Sequence, residues 1–450
     1  MKIIIIGAGE LGQLLAERLS NAKNDVIIID SSKEGFARLH ENFDVMTLTG
    51  DAADIKVMTL AGIQDADMLL AVSGDQASNI LACQIAKHFG VQKVFCRLYS
   101  FDAFDETVGI TPEFYGIDNA FSAPAECAEA ILDATRRRIL LEKVQFSHPD
   151  ATMVTAEITA ASPLRGMHIQ NIPDQELLNN IRIAALVREN KLMIPRANTI
   201  LYQNDKLYVA GSKDYVDAFI GYASGAPEIK SQLVIVAGAT RIGELVAREL
   251  INEGHEVRFI VKKKEQGEEL LNRMPSGCLV VQGEVTDLEV LLEAGIAKCD
   301  TFISADEDDE KAILSCILAK RAGARKCIAT THKPEYISIL PAMDVIDCGF
   351  NSTLVSINTI FRLMGESSFR IDSRLLAFQA YLTEFKIKRT SPLIGKKLHE
   401  SKLPPSAVLA MIFRGSDFIT PTGDTELLEN DKVVAIVTPA SEEQIKPYFG

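Results

Sequence analysis

The sequence predicts an α/β protein: two doubly wound parallel sheets in tandem, each followed by a small α+β module of βαβββ pattern. Three observations carry this prediction. Over residues 1–123, short β-branched and apolar runs alternate with segments of helical periodicity. From about Val154 the apolar period changes from helical to two. Landmarks of the first half then recur in the second: Gly7 at Gly238, Gly50 and Asp51 at Gly283 and Glu284, and Ser162–Gly166 at Ser391–Gly395. The chain reads as two copies of one two-domain unit.

The first strand, Ile3 to Ile6, is β-branched throughout, which suits a parallel strand buried on both faces. It runs into Gly7, Ala8, Gly9, Glu10, Leu11 and Gly12, a Gly-x-Gly-x-x-Gly loop. Gly7 permits the tight turn, Gly9 lets backbone approach a pyrophosphate, and Gly12 lets the next helix pack against the strand. That helix, Leu11 to Leu19, turns its free amides and positive dipole end toward phosphate. A second strand from Asp25 ends in Asp30, which can accept from a ribose 2′-hydroxyl and repels a 2′-phosphate. Strand, glycines, helix, strand and acid in this order specify a Rossmann-type dinucleotide fold.

The alternation continues through a helix at Lys33–Glu41 and strands at Val45–Thr49, Ala66–Val72 and Lys93–Leu98, with helices Ile55–Ala61 and Ala77–Phe89 between them. Tyr115 to Phe121 supplies a last short strand. Ligands of such sheets bind outside the carboxyl ends of the strands. Those ends carry Gly7, Asp30, Asp51, Asp75 and Arg97, with Asn79 one turn past Asp75 facing the same crevice. Asp51 and Asp75 fit adenine or ribose contacts, and equally fit caps on the helices they precede. Arg97 is the only cation among these ends and is the natural phosphate partner.

Pro124 opens a connecting helix, Ala125 to Glu142, which carries Arg136, Arg137 and Arg138 as solvated ends, with docking as the alternative role. The predicted domains are 1–123, a connecting helix at 124–145, a small module at 146–224, a linker at 225–231, a second Rossmann domain at 232–350, a second connecting helix at 351–370, and a second module at 371–450.

The second copy departs where ligand chemistry matters. The middle glycine becomes Thr240, which crowds a close pyrophosphate. The position of Asp30 falls at Val261, followed by Lys262, Lys263 and Lys264; Asp75 falls near Asp308 and Arg97 at Thr330. Gly238, Thr240, Arg241, Gly243, Lys262 and Glu284 outline this second nucleotide site. Three readings stand open: a structural remnant, a site for a different nucleotide whose phosphates meet the lysines, or a weak NAD site.

Composition bounds the function classes. The net charge of −14 argues against a nucleic-acid partner. The apolar runs are strand-sized, too short to span a bilayer, and the N-terminus lacks the pattern of a signal peptide, so a cytoplasmic location is expected. The eight cysteines are scattered, without Cys-x-x-Cys or a His/Cys cluster, so no metal site is expected. An NAD-dependent oxidoreductase, the alternative reading, needs an acid/base group near the nicotinamide. The seven histidines (His40, His88, His148, His168, His255, His332 and His399) form no such constellation, and no catalytic residue is assigned.

The repeated module pattern is Ser162, Pro163, Leu164, Gly166, Arg188, Pro195 and Asn204–Asp205–Lys206, with Ser391, Pro392, Leu393, Gly395, Arg414, Pro421 and Asn430–Asp431–Lys432 in the second copy. Together with the duplicated glycine loops it resembles the RCK (regulator of potassium conductance) family over essentially the whole chain. Within that family it is similar to the NAD-binding peripheral subunits of bacterial Trk potassium-uptake systems. The resemblance implies a regulator rather than an enzyme. It implies a homo-oligomeric ring, a dimer or tetramer, peripheral on the inner face of the cell membrane beneath a potassium transporter or channel subunit. It implies NAD+ or NADH as ligand, with ATP or ADP as further ligands, and nucleotide-driven gating. It supports Gly7, Gly9, Gly12, Asp30, Asp51, Asp75 and Arg97 as nucleotide contacts.

Overall fold

In the computed structural model of the protein, the chain is described except at residues 37–38, 40–42, 138, 147, 149, 226–231, 334, 341–344, 365–367, 372–379, 402, 404–406, 416, 438–443, 446 and 450. The first half contains β1 (Lys2–Ile6), α1 (Glu10–Asn21), β2 (Asp25–Asp30), β3 (Val45–Thr49), α2 (Ile55–Leu60), β4 (Met68–Ala71), α3 (Gln76–His88), β5 (Lys93–Leu98), β6 (Asn119–Ser122) and α4 (Ala123–Arg136). The sheet order is β3-β2-β1-β4-β5-β6, all parallel. The order reverses at β1 and β4, so the switch-point crevice opens beside the glycine loop. Ile4, Ile6, Ile27, Ile29 and Leu69 pack one face of this sheet against Met58, Ala82, Cys83 and Ala86 of the helices.

The first small module is β7 (Leu140–Gln145), β8 (Ala151–Glu157), α5 (Gln175–Asn180), β9 (Ile181–Arg188), β10 (Lys191–Met193), β11 (Lys206–Ser212) and α6 (Lys213–Ser224). Its antiparallel sheet runs β10-β9-β11-β8-β7. The βαβββ pattern is present, with β7 and α6 added to it.

The second half repeats the plan with β12 (Leu233–Ala237), α7 (Arg241–Asn252), β13 (Glu256–Val261), α8 (Lys264–Arg273), β14 (Leu279–Gln282), α9 (Leu288–Glu293), β15 (Thr301–Ser304), α10 (Asp309–Arg321), β16 (Lys326–Thr331), α11 (Glu335–Ile339), β17 (Cys348–Asn351) and α12 (Ser352–Met364). The parallel order is β14-β13-β12-β15-β16-β17. The last module contains β18 (Ser368–Ile371), β19 (Tyr381–Lys386), β20 (Ala407–Arg414), β21 (Asp417–Ile419) and β22 (Lys432–Val437), ordered β18-β19-β22-β20-β21.

Three expectations are corrected. The connecting helix does not reach Glu142: α4 ends at Arg136, and Leu140–Gln145 is a strand paired antiparallel to β8. Ladder pairing outweighs the helical spacing of Ile139 and Leu140. Likewise α12 ends at Met364 and β18 follows within the predicted 351–370 helix. In place of a helix over Lys33–Glu41 there is one 3-10 turn at Glu34–Phe36; residues 37–38 and 40–41 of that span, with His40, lie outside the described residues, as do 226–231 of the linker.

The chain divides into two compact units. One is Met1–Cys127 with Ser352–Leu363; the other is Ala128–Asn351 with Met364–Gly450. In the first unit α12 packs on the first Rossmann domain. Thr359 donates to Glu126 at 2.9 Å, and the Arg18 guanidinium lies 6.0 Å from the Phe361 ring centre. In the second unit the rear of α4 lies on the second Rossmann domain. Lys326 is buried there, and its ammonium donates to the carbonyls of Ala134 (2.6 Å) and Leu140 (2.5 Å) at the end of α4 and the start of β7. Arg136 donates to Glu253 at 3.0 Å and Arg137 to Asp217 at 2.5 Å. Two of the three arginines are therefore ion-paired rather than solvated; Arg138 lies outside the described residues.

Candidate functional site

The first glycine loop meets the steric demands of its three glycines differently. Gly7 has φ +100°, and a Cβ there would lie 2.6 Å from the Ser73 Cα. A Cβ at Gly12 would lie 1.8 Å from the Gly7 carbonyl oxygen, so only hydrogen lets α1 come this close to β1. A Cβ at Gly9 would meet nothing within 4 Å, because this residue faces open space. Gly9 is the N-cap of α1 and offers no side-chain cap, which leaves the first amides of that helix turned outward. Ala8 and Leu11 are buried and fix the loop, whereas Glu10 is exposed.

Asp30 ends β2 beside this loop. One carboxylate oxygen accepts the Ala8 amide at 2.6 Å and the other the Ser32 amide at 2.8 Å. Gln13, to which the sequence assigned no role, braces the same loop by donating to the Ala8 carbonyl at 2.7 Å and to that of Gly35 at 3.0 Å. The Gly-x-Gly-x-x-Gly pattern holds no signal for it.

Asp51 follows β3 and accepts the Ala53 amide at 2.9 Å in a turn; the cap of α2 is Asp54. Asp75 caps α3, accepting the Ser78 hydroxyl at 2.7 Å and the Ala77 amide at 3.0 Å, and these bonds hold its carboxyl below the ordinary aspartate value. Asn79 is buried. Its amide donates to the carbonyls of Ser73 and Arg97, and its oxygen accepts the Ser73 amide at 3.0 Å. It ties the ends of β4 and β5 together, and its polar atoms are committed to that. Arg97 is half-buried and donates to the Val72 carbonyl at 3.4 Å. Burial lowers its pKa. Among the described residues it makes no ion pair, so a desolvated cation stands at the crevice without a counter-charge, a condition an anionic ligand relieves. Open space at Gly9, uncapped helix amides, a strand-end acid and this cation together fit an adenine dinucleotide.

The second crevice keeps the turn and loses the grip. Gly238 has φ +97°, and a Cβ at Gly243 would lie 2.8 Å from the Gly238 carbonyl oxygen. Thr240 caps α7, its hydroxyl accepting the Gly243 amide at 3.3 Å, so one helix amide is already satisfied. Arg241 opens α7, 3.9 Å from Glu244 of the same helix. Val261 is buried where Asp30 stands in the first copy, and Thr330 is buried, donating to the Ser304 carbonyl at 3.2 Å. Asp308 caps α10 as Asp75 caps α3. Glu284 is ion-paired with Lys262, which lowers the Glu284 pKa and raises that of Lys262, and lies 3.4 Å from Lys311. A cavity of about 240 Å³ remains.

The repeated module motif has a structural basis. Arg188 grips Asp205 in a fork, Nε to Oδ1 at 2.8 Å and Nη2 to Oδ2 at 2.7 Å, and also donates to the Ile200 carbonyl. Arg414 repeats this with Asp431 at 3.0 and 2.9 Å. Asn204 and Asn430 take φ +67° and +70°, which asparagine tolerates in the left-handed region. Among the described residues no group of three or more His, Cys, Asp or Glu could hold a metal, and no helix is long and apolar enough to cross a membrane.

Two domain families match the chain. The TrkA-N domain matches residues 3–107 and 234–348, and the TrkA-C domain residues 153–223 and 382–450. The chain is similar to a Trk system potassium uptake protein TrkA homolog of Archaeoglobus fulgidus, 31% identical over 454 residues and covering 100% of both proteins. It is 26% identical over 443 residues to the Trk system potassium uptake protein TrkA of Vibrio alginolyticus, covering 96% of this chain and 95% of the other. Two solved structures share the fold. The GsuK RCK domain matches with TM-score 0.61 and 16% identity over 100% of this chain and 94% of that one. The GsuK channel bound to NAD matches with TM-score 0.61 and 17% identity over 100% and 78%.

Proposed function

The chain belongs to the TrkA family of Trk-system potassium-uptake proteins, and on that premise we propose that it is the nucleotide-sensing regulatory subunit of a membrane potassium transporter or channel. It acts in the cytoplasm, peripheral on the inner face of the membrane, as a homo-oligomeric ring. Its regulatory ligand is NAD+ or NADH, with ATP or ADP competing at the same crevice. The first Rossmann domain senses, and the small modules serve assembly. The observation that carries the reading is the first crevice itself, where open space lies at Gly9, Asp30 ends β2 beside the glycine loop, and Arg97, near the end of β5, makes no ion pair among the described residues. A GsuK channel of the same fold is described bound to NAD, which supports the choice of ligand.

A sensor works through differential affinity. A nucleotide shifts a two-state equilibrium only by as much as it binds one state better than the other, and coupling of about 1–3 kcal/mol is the usual range. The Asp30 carboxylate bonded to the Ala8 amide is one place where that difference can arise, because a ribose diol competes for the same oxygens. The test is co-purification with a potassium-transporting membrane subunit, then potassium flux in proteoliposomes with and without NADH and NAD+. Association and nucleotide-dependent flux are expected. Sustained NADH turnover with a small-molecule substrate, without association, would make the chain an oxidoreductase instead.

A further inference from the structure

The two crevices of one chain serve as controls for each other, and they differ most at the edge where an adenosine ribose would lie. In the first, β2 ends in the Asp30 carboxylate, followed by Ser31 and Ser32. In the second, β13 ends in buried Val261, followed by Lys262 and Lys263. The carboxylate that repels a ribose phosphate is gone, and two ammonium groups stand in its place. Both lysines line the 240 Å³ cavity beside the glycine loop, as do Gln266 and Lys311. Lys263 is exposed and, among the described residues, makes no ion pair; it caps α8 without a side-chain bond to the helix amides. Lys262 and Lys311 are held by Glu284, an exchangeable carboxylate at the cavity wall.

We propose that the second Rossmann crevice binds an adenine nucleotide carrying a phosphate on its ribose 2′-oxygen, the group that separates NADP(H) from NAD(H). Lys262 and Lys263 meet that phosphate, and Lys311 takes over Glu284. Asp306 and Glu307 also line the cavity, where the first copy has Ser73 and Gly74, and Thr240 occupies the Gly243 amide. Asp306 lies within electrostatic reach of Lys262, so these acids lower the affinity for any phosphate in the cavity. The preference for the 2′-phosphorylated form comes from Lys263, which makes no ion pair among the described residues, and from Lys262 once Lys311 takes over Glu284. The inference rests on the reading of these crevices as nucleotide sites. It gives the two halves opposite preferences for the 2′-phosphate.

The experiment is calorimetric titration of the full chain, saturated with NADH to fill the first crevice, with 2′,5′-ADP and with 5′-AMP. Binding of 2′,5′-ADP at least about tenfold tighter than that of 5′-AMP is expected, the effect of one additional charge-assisted hydrogen bond. In the Lys262→Ala/Lys263→Ala variant, whose changes lie on exposed side chains, that preference should disappear while NADH affinity holds. Equal affinities for the two probes, or a preference that survives the double substitution, would overturn the proposal. Failure of NADH itself to bind would count against the sensor reading of the first crevice, and the lysine-dependent preference would still be read separately.

Discussion

Glycines in one loop carry different loads, and substitution separates them. At Gly12 the missing Cβ is a condition of folding, because the position it would take lies 1.8 Å from the Gly7 carbonyl oxygen. At Gly9 a Cβ would meet nothing within 4 Å, so the fold itself does not require glycine there. Gly12→Ala should therefore lower thermal stability, by about 1–3 kcal/mol for overpacking and more if α1 shifts. Gly9→Thr, which copies Thr240, should leave the melting temperature within a degree or two and weaken NADH binding by at least about tenfold. Thermal unfolding by circular dichroism and NADH titration by calorimetry check the pair, and equal stability losses in both would refute the distinction. The motif named these glycines from sequence alone. It could not show that Asp30 commits its oxygens to the Ala8 and Ser32 amides, or that Asn79 commits its amide to Ser73 and Arg97. Those partners are set by how strand ends meet, which no local spacing records.

At the scale of elements, the parallel sheets were legible because their strands are apolar throughout and separated by helical periods. The ends of the connecting helices were not. Leu140, Leu141 and Val144 suit a helix face and a strand face alike, and pairing with β8 decides between them. The stop at Arg136 is then secured from outside, by a residue nearly two hundred positions away. Lys326 brings a buried positive charge to the carbonyl end of α4, where the helix dipole favours it, and satisfies carbonyls that the helix cannot. In the first copy the equivalent Lys93 is exposed at the start of β5, so sequence comparison of the two halves gives no hint of the clasp. Lys326→Met keeps the length of the side chain and removes its donors. It should cost on the order of 2–4 kcal/mol, since it leaves buried carbonyls unsatisfied. Amide exchange across residues 134–145 should accelerate while NADH affinity at the first crevice stays unchanged. Unaltered exchange there would mean that the end of α4 is held by Arg136 and Arg137 alone.

For the whole molecule, duplication followed by divergence is the organising fact. The fork of Arg188 on Asp205 is retained as that of Arg414 on Asp431, and both Rossmann sheets keep one strand order. The differences that bear on the proposed nucleotide sites lie at Thr240, Val261, Lys262 and Thr330. If that is so, each chain binds one NADH, and the second site is recoverable by reversing few residues. Thr240→Gly releases the Gly243 amide from its hydroxyl and reopens the space that Gly9 leaves in the first loop. Val261→Asp restores a carboxylate at the end of β13, on the wall of the cavity that the loop residue Ala239 also lines. Lys262→Ser removes the ammonium that would pair with the new acid. The triple variant should titrate toward two NADH per chain, with the restored site weaker than the first because Thr330 supplies no counterpart to the Arg97 cation. Thr240→Gly alone should stay at one, since the ribose diol still lacks an acceptor. A parent protein that already binds two, or a folded triple variant that still binds one, would place the difference between the halves somewhere other than these strand ends.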